Sequence, residues 1–418
     1  METSGKYDKR NFIINATEGA LFLTGSSLIS YTTVLPVLVY RLGGNNIAVG
    51  FLSIIIWLGL FLPQLFASKY ALNQPWKKPG AIQMGLIQRI ILPFIILTLS
   101  LFGNEHPQIS LVLFFILIFL YQVATGLATP IWFDMFAKLT PVGLRGKLFG
   151  IRTFLTSAGS FLGAYFLTWT LSNFLFPLNF ILIFSATFFL QLTSILLQYF
   201  LVEETPSNIE KVNSLTEFYD QVRKMLQQNI HLKKFLVAVG TYTIGTMSLG
   251  FFTVYGIKNF NTNDSIVGEL TIIMIIGQAI GALLNGYIAD QYGNKIALII
   301  AVGGMLTASA ITPLIPTLNL YKFIFLFIGI NIGSEIMLRQ NLVLELSPVT
   351  QRSLYIGLMN TILAPFYFAG IIGGLIVEKF GFTELFVISA IFSFTGIFLL
   401  LFFVEDPRKK NNVKNSLQ

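Results

Sequence analysis

The sequence contains no cysteine and only two histidines among its 418 residues. Without cysteine, neither a disulfide framework nor a thiolate metal site can form. His106 and His231 fall in two separate predicted loops, which argues against a histidine-based metal or catalytic cluster. We therefore expect no metal site, no catalytic residues and no cofactor, and we do not expect the protein to be an enzyme.

Charged residues are scarce too. Asp, Glu, Lys and Arg make up 11% of the chain, whereas 54% is hydrophobic and the mean hydropathy is +0.74. A soluble globular chain carries roughly 25% charged residues, so this chain cannot cover a water-facing surface. The composition predicts an all-α polytopic membrane protein. The N-terminus, METSGKYDKRN, lacks the layout of a signal peptide, so we expect the first spanning helix to stay in the membrane.

Twelve segments are apolar and long enough to cross a bilayer, which takes about 20 residues. They are 11–40, 47–68, 80–102, 108–138, 148–171 and 177–202 in the first half, and 235–256, 266–289, 295–315, 320–346, 354–377 and 382–404 in the second. We divide the chain accordingly into an N-terminal six-helix bundle (1–202), a cytoplasmic linker (203–232), a C-terminal six-helix bundle (233–405) and a basic cytoplasmic tail (406–418).

The linker has a pattern of its own. Apolar residues recur at helical spacing from Leu215 to Ile230, and Ser214 and Glu217 form a capping-box pattern at the start. The pattern predicts an amphipathic helix on the cytoplasmic membrane surface. A simple tether between the two bundles is the alternative.

The basic residues provide a test of this map. With the N-terminus in the cytoplasm, most of the 27 Lys and Arg residues fall at cytoplasmic ends and loops. Arg41, Lys258, Lys322 and Lys379 fall on the opposite side. This distribution predicts a multi-pass plasma (inner) membrane protein with both termini in the cytoplasm. Contact with anionic lipid accounts for the net charge of +8 without a nucleic-acid partner. We also expect the protein to be a monomer.

Short stretches of the first half recur in the second. LTPVGLRGKLFG (139–150) and LSPVTQRSLYIG (346–357) share Leu, Pro, Val, Arg and Gly in register, at an offset of 352 − 145 = 207. VGFLSIIIWLG from Val49 matches VGELTIIMIIG from Val267, and TGSSLISYTTV from Thr24 resembles IGTMSLGFFTV from Ile244. Chance would explain an isoleucine run but not the shared Pro, Arg and Gly. The repetition predicts two pseudo-symmetric six-helix bundles that alternate access to a site between them.

A resemblance to a known family appears in GYIADQYGNKIAL. Gly286, Asp290, Gly293 and Lys295 occupy the places of the Gly-x-x-x-Asp-x-x-Gly-x-Lys signature of the major facilitator superfamily. The resemblance implies the major facilitator fold and a cytoplasmic gate at this loop. Gly286 would allow close approach of two helices, and Gly293 would permit a tight turn. We add the Arg residues of the repeated loop, Arg145 and Arg352, to the predicted gate.

The first-half counterpart, SKYALNQPWKKP, departs from this signature. Ser68, Leu72 and Pro75 replace Gly, Asp and Gly, and Lys77 alone is retained. In the fourth predicted helix, Gln122 stands where proton-coupled exporters of the superfamily often carry Arg. Glycine pairs such as Gly277 and Gly281 are also typical of close helix packing.

Six ionisable residues fall inside predicted spanning helices, where each costs about 2.5–3.5 kcal/mol on insertion scales. They are Glu18, Arg89, Asp134, Arg152, Glu335 and Arg339. All six lie in the predicted cytoplasmic half of their helices, which indicates a gate or a coupling network. For Asp134 and Arg152, extension to the lipid headgroups is the simpler alternative.

Three of these residues are candidates for coupling. Glu18 is the best single candidate for a proton carrier, because a carboxyl group in an apolar environment can take up and release a proton near neutral pH. A hydrogen bond from Glu18 to a neighbouring helix is the alternative. Glu335 and Arg339 share a helix face at i, i+4 spacing and can neutralise each other. Helices one, four, seven and ten line the cavity in the superfamily, which implies that these residues lie near the pathway.

Neutral polar residues occupy the predicted middle of the membrane. Ser27 and Tyr31 lie on the first predicted helix, Gln122 and Thr125 on the fourth, and Tyr242 on the seventh. With Arg89, they complete our set of substrate or coupling candidates. Hydroxyls, an amide and aromatic rings suit a polar uncharged or an amphipathic organic solute.

These patterns together predict a secondary active transporter of a small organic solute that works by alternating access and is coupled to protons. Its partners would be the solute, protons and the bilayer. A facilitative uniporter, and a sensor or scaffold that keeps the fold without transport, are the alternatives. A membrane enzyme would need a cluster of His, Asp, Cys or Ser at the membrane surface, and an ATP-driven pump would need a phosphate-binding loop. The sequence shows neither pattern.

Overall fold

The fold comes from a computed structural model, which describes residues 7–64, 67, 70, 74–206, 229–347 and 352–405. The side chains of residues 142, 143 and 352–354 are not part of this description. The predicted amphipathic helix with its Ser214 and Glu217 capping box, and the basic tail, lie outside these residues.

The described residues form α-helices joined by short connections. They are α1 (Asp8–Leu28), α2 (Val34–Arg41), α3 (Asn46–Phe61), α4 (Lys77–Phe102), α5 (Pro107–Leu139), α6 (Val142–Asn173), α7 (Leu178–Gln198), α8 (Ile230–Gly245), α9 (Phe251–Asn259), α10 (Ile266–Tyr292), α11 (Asn294–Ile311), α12 (Leu318–Lys322), α13 (Ile324–Glu345), α14 (Arg352–Leu363), α15 (Ala369–Lys379) and α16 (Phe382–Phe402). Each of the twelve predicted segments contains one of these helices or two consecutive ones.

Many of these helices can cross a membrane. In the part of the chain that the structure describes, nine helical segments are long and apolar enough to do so, and Asn46–Phe61 is apolar but shorter. Numerous large apolar side chains are exposed on their surfaces, as a lipid-facing surface requires. The predicted all-α, multi-pass membrane fold is therefore confirmed.

Breaks divide four of the predicted spans, and two of these breaks lie at corresponding places in the two halves. The first break separates α1 from α2, and the second, which contains the 3₁₀ turn Thr246–Ser248, separates α8 from α9. At the first break, Ser30 Oγ accepts hydrogen bonds of 3.3 Å from the backbone N–H groups of Thr32 and Thr33. A hydroxyl that binds backbone N–H groups competes with the helix. The breaks fall within the repeated stretches 24–34 and 244–254, so the duplication extends to the helix interruptions.

The helices cluster into two compact units. Unit 1 consists of Met1–Asn45, Ile55–Val212 and Asn263–Glu269, and unit 2 consists of Asn46–Ile54, Asn213–Thr262 and Leu270–Gln418. In unit 1, Ile131, Met135 and Leu201 form part of a buried apolar cluster. In unit 2, a buried apolar cluster includes Phe235 and Leu342. The bundle and linker bounds given by the sequence stay a prediction.

Glycines let helices approach closely within each unit. In unit 2, a Cβ added at Gly277 or Gly281 of α10 would overlap with the backbone of α13, and one added at Gly329 would overlap with the backbone of α10. In unit 1, Gly159 and Gly163 of α6 lie against side chains of α1. The interpretation of the glycine pairs as packing surfaces is confirmed at these positions.

Glu203 joins three helix ends of unit 1. Its carboxylate accepts hydrogen bonds of 2.9 Å from the backbone N–H groups of Lys77 and Lys78 at the start of α4. It also pairs with Lys138 at the end of α5 (2.6 Å), and its side chain is 3% exposed. A carboxylate at a helix N-terminus binds free N–H groups and complements the helix dipole. Because Glu203 follows α7, one residue fixes the ends of α4, α5 and α7.

The sequence offers a matched comparison for this residue. Val202 and Glu203 correspond to Val404 and Glu405 at the end of the second half. The side chain of Glu405 is 58% exposed and lies 3.4 Å from His231. The two glutamates therefore differ in burial although they hold corresponding positions.

We predict that Glu203→Gln lowers the free energy of unfolding by about 2 kcal/mol, because charge-assisted hydrogen bonds to the start of α4 are lost. Glu405→Gln should change it by less than about 0.5 kcal/mol, since exposed ion pairs contribute little. Thermal unfolding of the purified variants in detergent measures both. Equal melting temperatures for the two variants would contradict the assigned role of Glu203.

Candidate functional site

Each unit contains a cluster of buried polar and charged side chains among the described residues. The Glu18 cluster of unit 1 comprises Glu18, Arg89, Arg152, Gln191, Ser194 and Gln198, all of them buried. The Arg339 cluster of unit 2 comprises Tyr242, Glu335, Arg339 and Tyr367, which are buried as well. Ionised groups in an apolar interior must be compensated by charge or hydrogen bonds. These two clusters are therefore the candidate functional sites.

One face of α1 positions Glu18 against α7. Residues seven apart share a helix face, and Asn11 and Gly25, on either side of Glu18, also bond to this neighbourhood. Glu18 Oε1 accepts hydrogen bonds from Gln198 Nε2 (2.7 Å) and Ser194 Oγ (3.3 Å). Glu18 Oε2 is buried and has no hydrogen-bond partner among the described residues. The predicted bond to a neighbouring helix is therefore present, and the role of Glu18 in coupling stays a prediction.

Arg89 of α4 binds neutral acceptors. Its Nε donates to the carbonyl of Gln191 (2.9 Å), and its Nη1 donates to the carbonyl of Gly85 (3.0 Å) and to Gln88 Oε1 (2.9 Å). Its Nη2 lies 3.4 Å from Ser194 Oγ. These partners fix the guanidinium without cancelling its charge. Glu18 attracts it across a longer distance.

Amide and hydroxyl groups connect this cluster to some of the predicted substrate residues. Gln88 Nε2 donates to Thr125 Oγ1 (2.6 Å), and Tyr121 Oη donates to Gln191 Oε1 (3.0 Å). Gln191 Nε2 donates in turn to Ser26 Oγ (3.1 Å). Thr125 is therefore part of one buried network with Arg89.

Three other predicted substrate residues have contacts elsewhere in unit 1. Ser27 Oγ donates to a carbonyl of its own helix, and Tyr31 meets the ring of Trp57 edge-on at 5.5 Å. Gln122 packs beside Gly59. These described contacts do not involve residues of the Glu18 cluster.

Arg152 of α6 is buried rather than extended towards headgroups. It is 8% exposed, and its guanidinium carbon lies 4.3 Å from the ring centre of Trp132. A Cβ added at Gly19 would overlap with this guanidinium group. The headgroup alternative therefore does not describe Arg152. Extension to the headgroups fits better for Asp134, because its side chain is 42% exposed and lies 3.6 Å from Lys77.

The Arg339 cluster confirms the pairing predicted on α13. Arg339 Nη1 lies 3.2 Å from Glu335 Oε1, and Tyr242 Oη of α8 donates to the same oxygen at 2.5 Å. Arg339 is 1% exposed and also hydrogen-bonds to Tyr367. A buried 1:1 ion pair with two tyrosine hydroxyls gives a compensated cluster.

The predicted gate loop of unit 2 forms a turn between α10 and α11. Gly293 has a φ of +98°, a conformation that favours glycine, so the expected tight turn is present. Lys295 Nζ donates to the carbonyl of Leu401 (3.0 Å), and Asp290 is exposed. We expected Gly286 to allow close approach of two helices. This expectation was wrong, because a Cβ added there would meet no atom of the described residues within 4 Å.

Arg145 and Arg352 are the two arginines of the repeated loop. Arg145 donates from Nη2 to the carbonyl of Ala137 and from Nε to that of Thr140 (3.2 Å), at the end of α5. A guanidinium at this position satisfies free carbonyls of a helix C-terminus. The side chain of Arg352 lies outside the described ones.

Sequence reasoning missed the ion pairs of unit 1, including that of Arg41 with Asp264. Arg41, at the end of α2, donates from Nε and Nη2 to both carboxylate oxygens of Asp264, at 2.6 and 2.8 Å. This hydrogen-bonded pairing raises the pKa of Arg41. The pair joins residues more than 200 positions apart, so no local spacing could reveal it. Gln88, Gln191 and Gln198 were missed as well, although an amide inside an apolar run is a visible signal.

Parts of the sequence resemble known proteins. Residues 235–417 match the family model described as Major Facilitator Superfamily. The chain is 26% identical over 170 residues to the 4-hydroxybenzoate transporter PcaK of Acinetobacter baylyi, covering 39% of this chain and 36% of that protein. It is 26% identical over 134 residues to the putative niacin/nicotinamide transporter NiaP of Bacillus subtilis, covering 32% and 34%. The matches thus span about a third of the length of these curated relatives.

Solved structures resemble the whole chain. A variant of the nucleoside transporter NupG superposes with a TM-score of 0.70 at 14% identity, covering 95% of this chain and 99% of that one. The D-xylose-proton symporter gives 0.69 at 16% identity, covering 95% and 98%. The predicted resemblance to the major facilitator superfamily is therefore confirmed. The chain has the fold of that superfamily's transporters, and its second half carries the family's sequence pattern. The expectation that it is not an enzyme agrees with these relatives.

The contact between Gly19 and Arg152 generates a test. We predict that Gly19→Ala lowers the free energy of unfolding by about 1–3 kcal/mol, because the new methyl group displaces a guanidinium held on Trp132. Gly150→Ala on α6 is the matched control, since a Cβ there meets no atom within 4 Å. Its melting temperature should stay the same or rise. Thermal unfolding measures both variants, and equal effects would contradict the close contact.

The ion pair of unit 2 allows a double-mutant cycle. Glu335→Gln and Arg339→Gln should each lower the free energy of unfolding by about 3 kcal/mol, because each leaves one charge buried and unpaired. The double variant should lose at least about 2 kcal/mol less than the sum. Additivity within about 0.5 kcal/mol would show that the two side chains are not coupled.

Proposed function

We propose that the chain is a secondary active transporter that moves a small organic solute across the plasma (inner) membrane by alternating access, coupled to protons. The observation that carries the proposal is the buried acid–arginine cluster in each of two units with related sequences. Such groups are expensive in a membrane protein and typically mark substrate or proton pathways. The fold of solved transporters over 95% of the chain supports it.

The names of the similar proteins support a small organic solute. They include transporters of 4-hydroxybenzoate, of niacin or nicotinamide, and of nucleosides, as well as a D-xylose-proton symporter. All of these solutes are small organic molecules with polar groups. The hydroxyls, amides and aromatic rings of the two clusters suit molecules of this kind.

Proton coupling rests on the two buried carboxylates, Glu18 and Glu335. A proton on Glu335 would remove the charge that holds Arg339, so proton uptake can rearrange the Arg339 cluster. On Glu18, Oε2 has no hydrogen-bond partner among the described residues and can receive a proton without breaking a bond. Both residues therefore belong to the proposed coupling machinery. Tyr242 bonds to Glu335, and Arg89 and Thr125 belong to the network beside Glu18.

The gate and the orientation complete the proposal. We place both termini in the cytoplasm, as the distribution of Lys and Arg favours. The turn of Gly293, with Asp290 and Lys295, then lies on the cytoplasmic side together with Arg145 and Arg352. Helix-end contacts such as those of Arg145 and Lys295 suit a gate, because they hold helix termini in place.

A proton-gradient assay tests the coupling. In proteoliposomes carrying the wild-type chain, an imposed pH gradient should drive accumulation of at least one of 4-hydroxybenzoate, nicotinate, nicotinamide, uridine and xylose. Glu18→Gln and Glu335→Gln should abolish accumulation while leaving counterflow exchange, which needs no net proton movement. Asp134→Asn serves as a control, since Asp134 is half exposed and should leave accumulation intact.

The other outcomes separate the alternatives. If the wild-type chain equilibrates a solute without ever accumulating it, the protein is a uniporter. If none of the solutes moves, the proposed transport function is wrong and a scaffold is favoured. If both Gln variants accumulate solute as the wild type does, neither carboxylate carries the proton.

A further inference from the structure

The Glu18 cluster contains more positive than negative charge. It has two guanidinium groups, Arg89 and Arg152, but one carboxylate, Glu18, whose attraction reaches both. The half-exposed Asp134 nearby already pairs with Lys77. Arginine does not give up its proton in proteins, so the described cluster carries a net charge of about +1. An uncompensated buried cation costs several kcal/mol, which makes a bound anion favourable here.

Arg152 is the arginine that can receive such an anion. Arg89 already donates to several neutral acceptors, and Arg339 in unit 2 is paired with Glu335. By contrast, Arg152 Nη1 is buried and has no hydrogen-bond partner among the described residues. Its position is nevertheless fixed, because the guanidinium lies between the ring of Trp132 and the backbone of Gly19.

Two polar side chains lie one helical turn from this contact, one on each side of it along the parallel helices α1 and α6. Asn15 precedes Gly19 by one turn on α1, and Thr156 follows Arg152 by one turn on α6; α1 and α6 pack against each other along their glycines. In the described part of the chain, Asn15 Nδ2, Asn15 Oδ1 and Thr156 Oγ1 are buried without hydrogen-bond partners. Buried polar groups without partners are rare in folded proteins and call for a ligand or water.

The surroundings of Arg152 are aromatic. Trp132 stacks on Phe136 at 5.3 Å, and Phe136 meets Phe149 at 4.8 Å. Phe149 is exposed, so this row of rings runs from the guanidinium to the surface of unit 1. A row of rings beside a cation suits a molecule with an apolar body and one negative group.

We propose that Arg152 binds the carboxylate of the transported solute, and that the solute is an organic monocarboxylate with an apolar body. The inference rests on the transport function proposed above. A carboxylate matches the guanidinium fork of Arg152 and cancels the excess charge of the cluster. A second carboxylate on the solute would give the cluster an excess negative charge, which disfavours dicarboxylates.

Matched carboxylates and amides test the proposal with the purified full chain in detergent. The probes are benzoate and benzamide, nicotinate and nicotinamide, and hexanoate and hexanamide, all at one ionic strength. At least one carboxylate should raise the melting temperature by about 2 °C or more, and its amide should not. The proposal is overturned if no carboxylate stabilises the chain, or if each carboxylate and its amide stabilise it equally.

Variants locate the effect. Arg152→Gln should abolish the carboxylate shift, while its melting temperature without ligand stays at or above that of the wild type, because an uncompensated buried charge is removed. Arg152→Lys should keep charge selectivity but bind roughly tenfold more weakly, since the fork and the ring contact are lost. Arg41→Gln, which alters the pair of the half-exposed Arg41 with the buried Asp264, should leave the shift unchanged. A shift that survives Arg152→Gln but disappears in Arg339→Gln would place the anion in unit 2 and reject the proposal.

This binding assay needs neither a membrane nor a gradient. Intact carboxylate selectivity together with no proton-driven accumulation would reject only the proton coupling. Proton-driven accumulation of neutral solutes, together with no carboxylate selectivity in binding, would reject only the role of Arg152.

Discussion

Compensation of buried charge is the constraint on which this structure depends. Lipid surrounds the helices, so a charged side chain inside them must find its partners within the protein. In the Arg339 cluster of unit 2, Glu335 compensates the charge of Arg339. The hydroxyl of Tyr242 binds the same carboxylate oxygen of Glu335 as Arg339 does. The Glu18 cluster of unit 1 holds two arginines and one carboxylate. One unit therefore contains a balanced cluster and the other an unbalanced one, and the unbalanced cluster has the greater need for a ligand.

Neutral amides make the unbalanced cluster possible. Gln191 offers its carbonyl to Arg89 and its amide to Tyr121 and Ser26, so one residue orders cations, rings and hydroxyls together. Such networks fix the position of a charge without neutralising it, because amide dipoles compensate the guanidinium and leave its net charge unchanged. A charge that is held in place but not cancelled can act on a solute. Gln88, Gln191 and Gln198 therefore hold the charged groups of the Glu18 cluster in place.

The sequence predicts what is local and misses what is tertiary. Twelve apolar segments locate the helices because hydrocarbon thickness sets their length, and Glu335 and Arg339 pair because both stand on one helix. Glu203 reaches the start of α4 from 125 residues away, and no spacing rule anticipates that contact. The break after Leu28 is missed because an apolar run does not show when Ser30 Oγ binds the backbone. Gly286 resembles a packing glycine in its motif, yet whether helices meet there is decided by the fold.

Gly19 shows that a polar site can depend on a residue without a side chain. The guanidinium of Arg152 occupies the space that any Cβ at position 19 would fill. In a comparison of related chains, the residue at this position should therefore vary together with the residue at position 152. A chain that gains a side chain at position 19 would have to lose this arginine or move it. A substitution at position 19 that adds no polar group could thus change the solute specificity of a related chain.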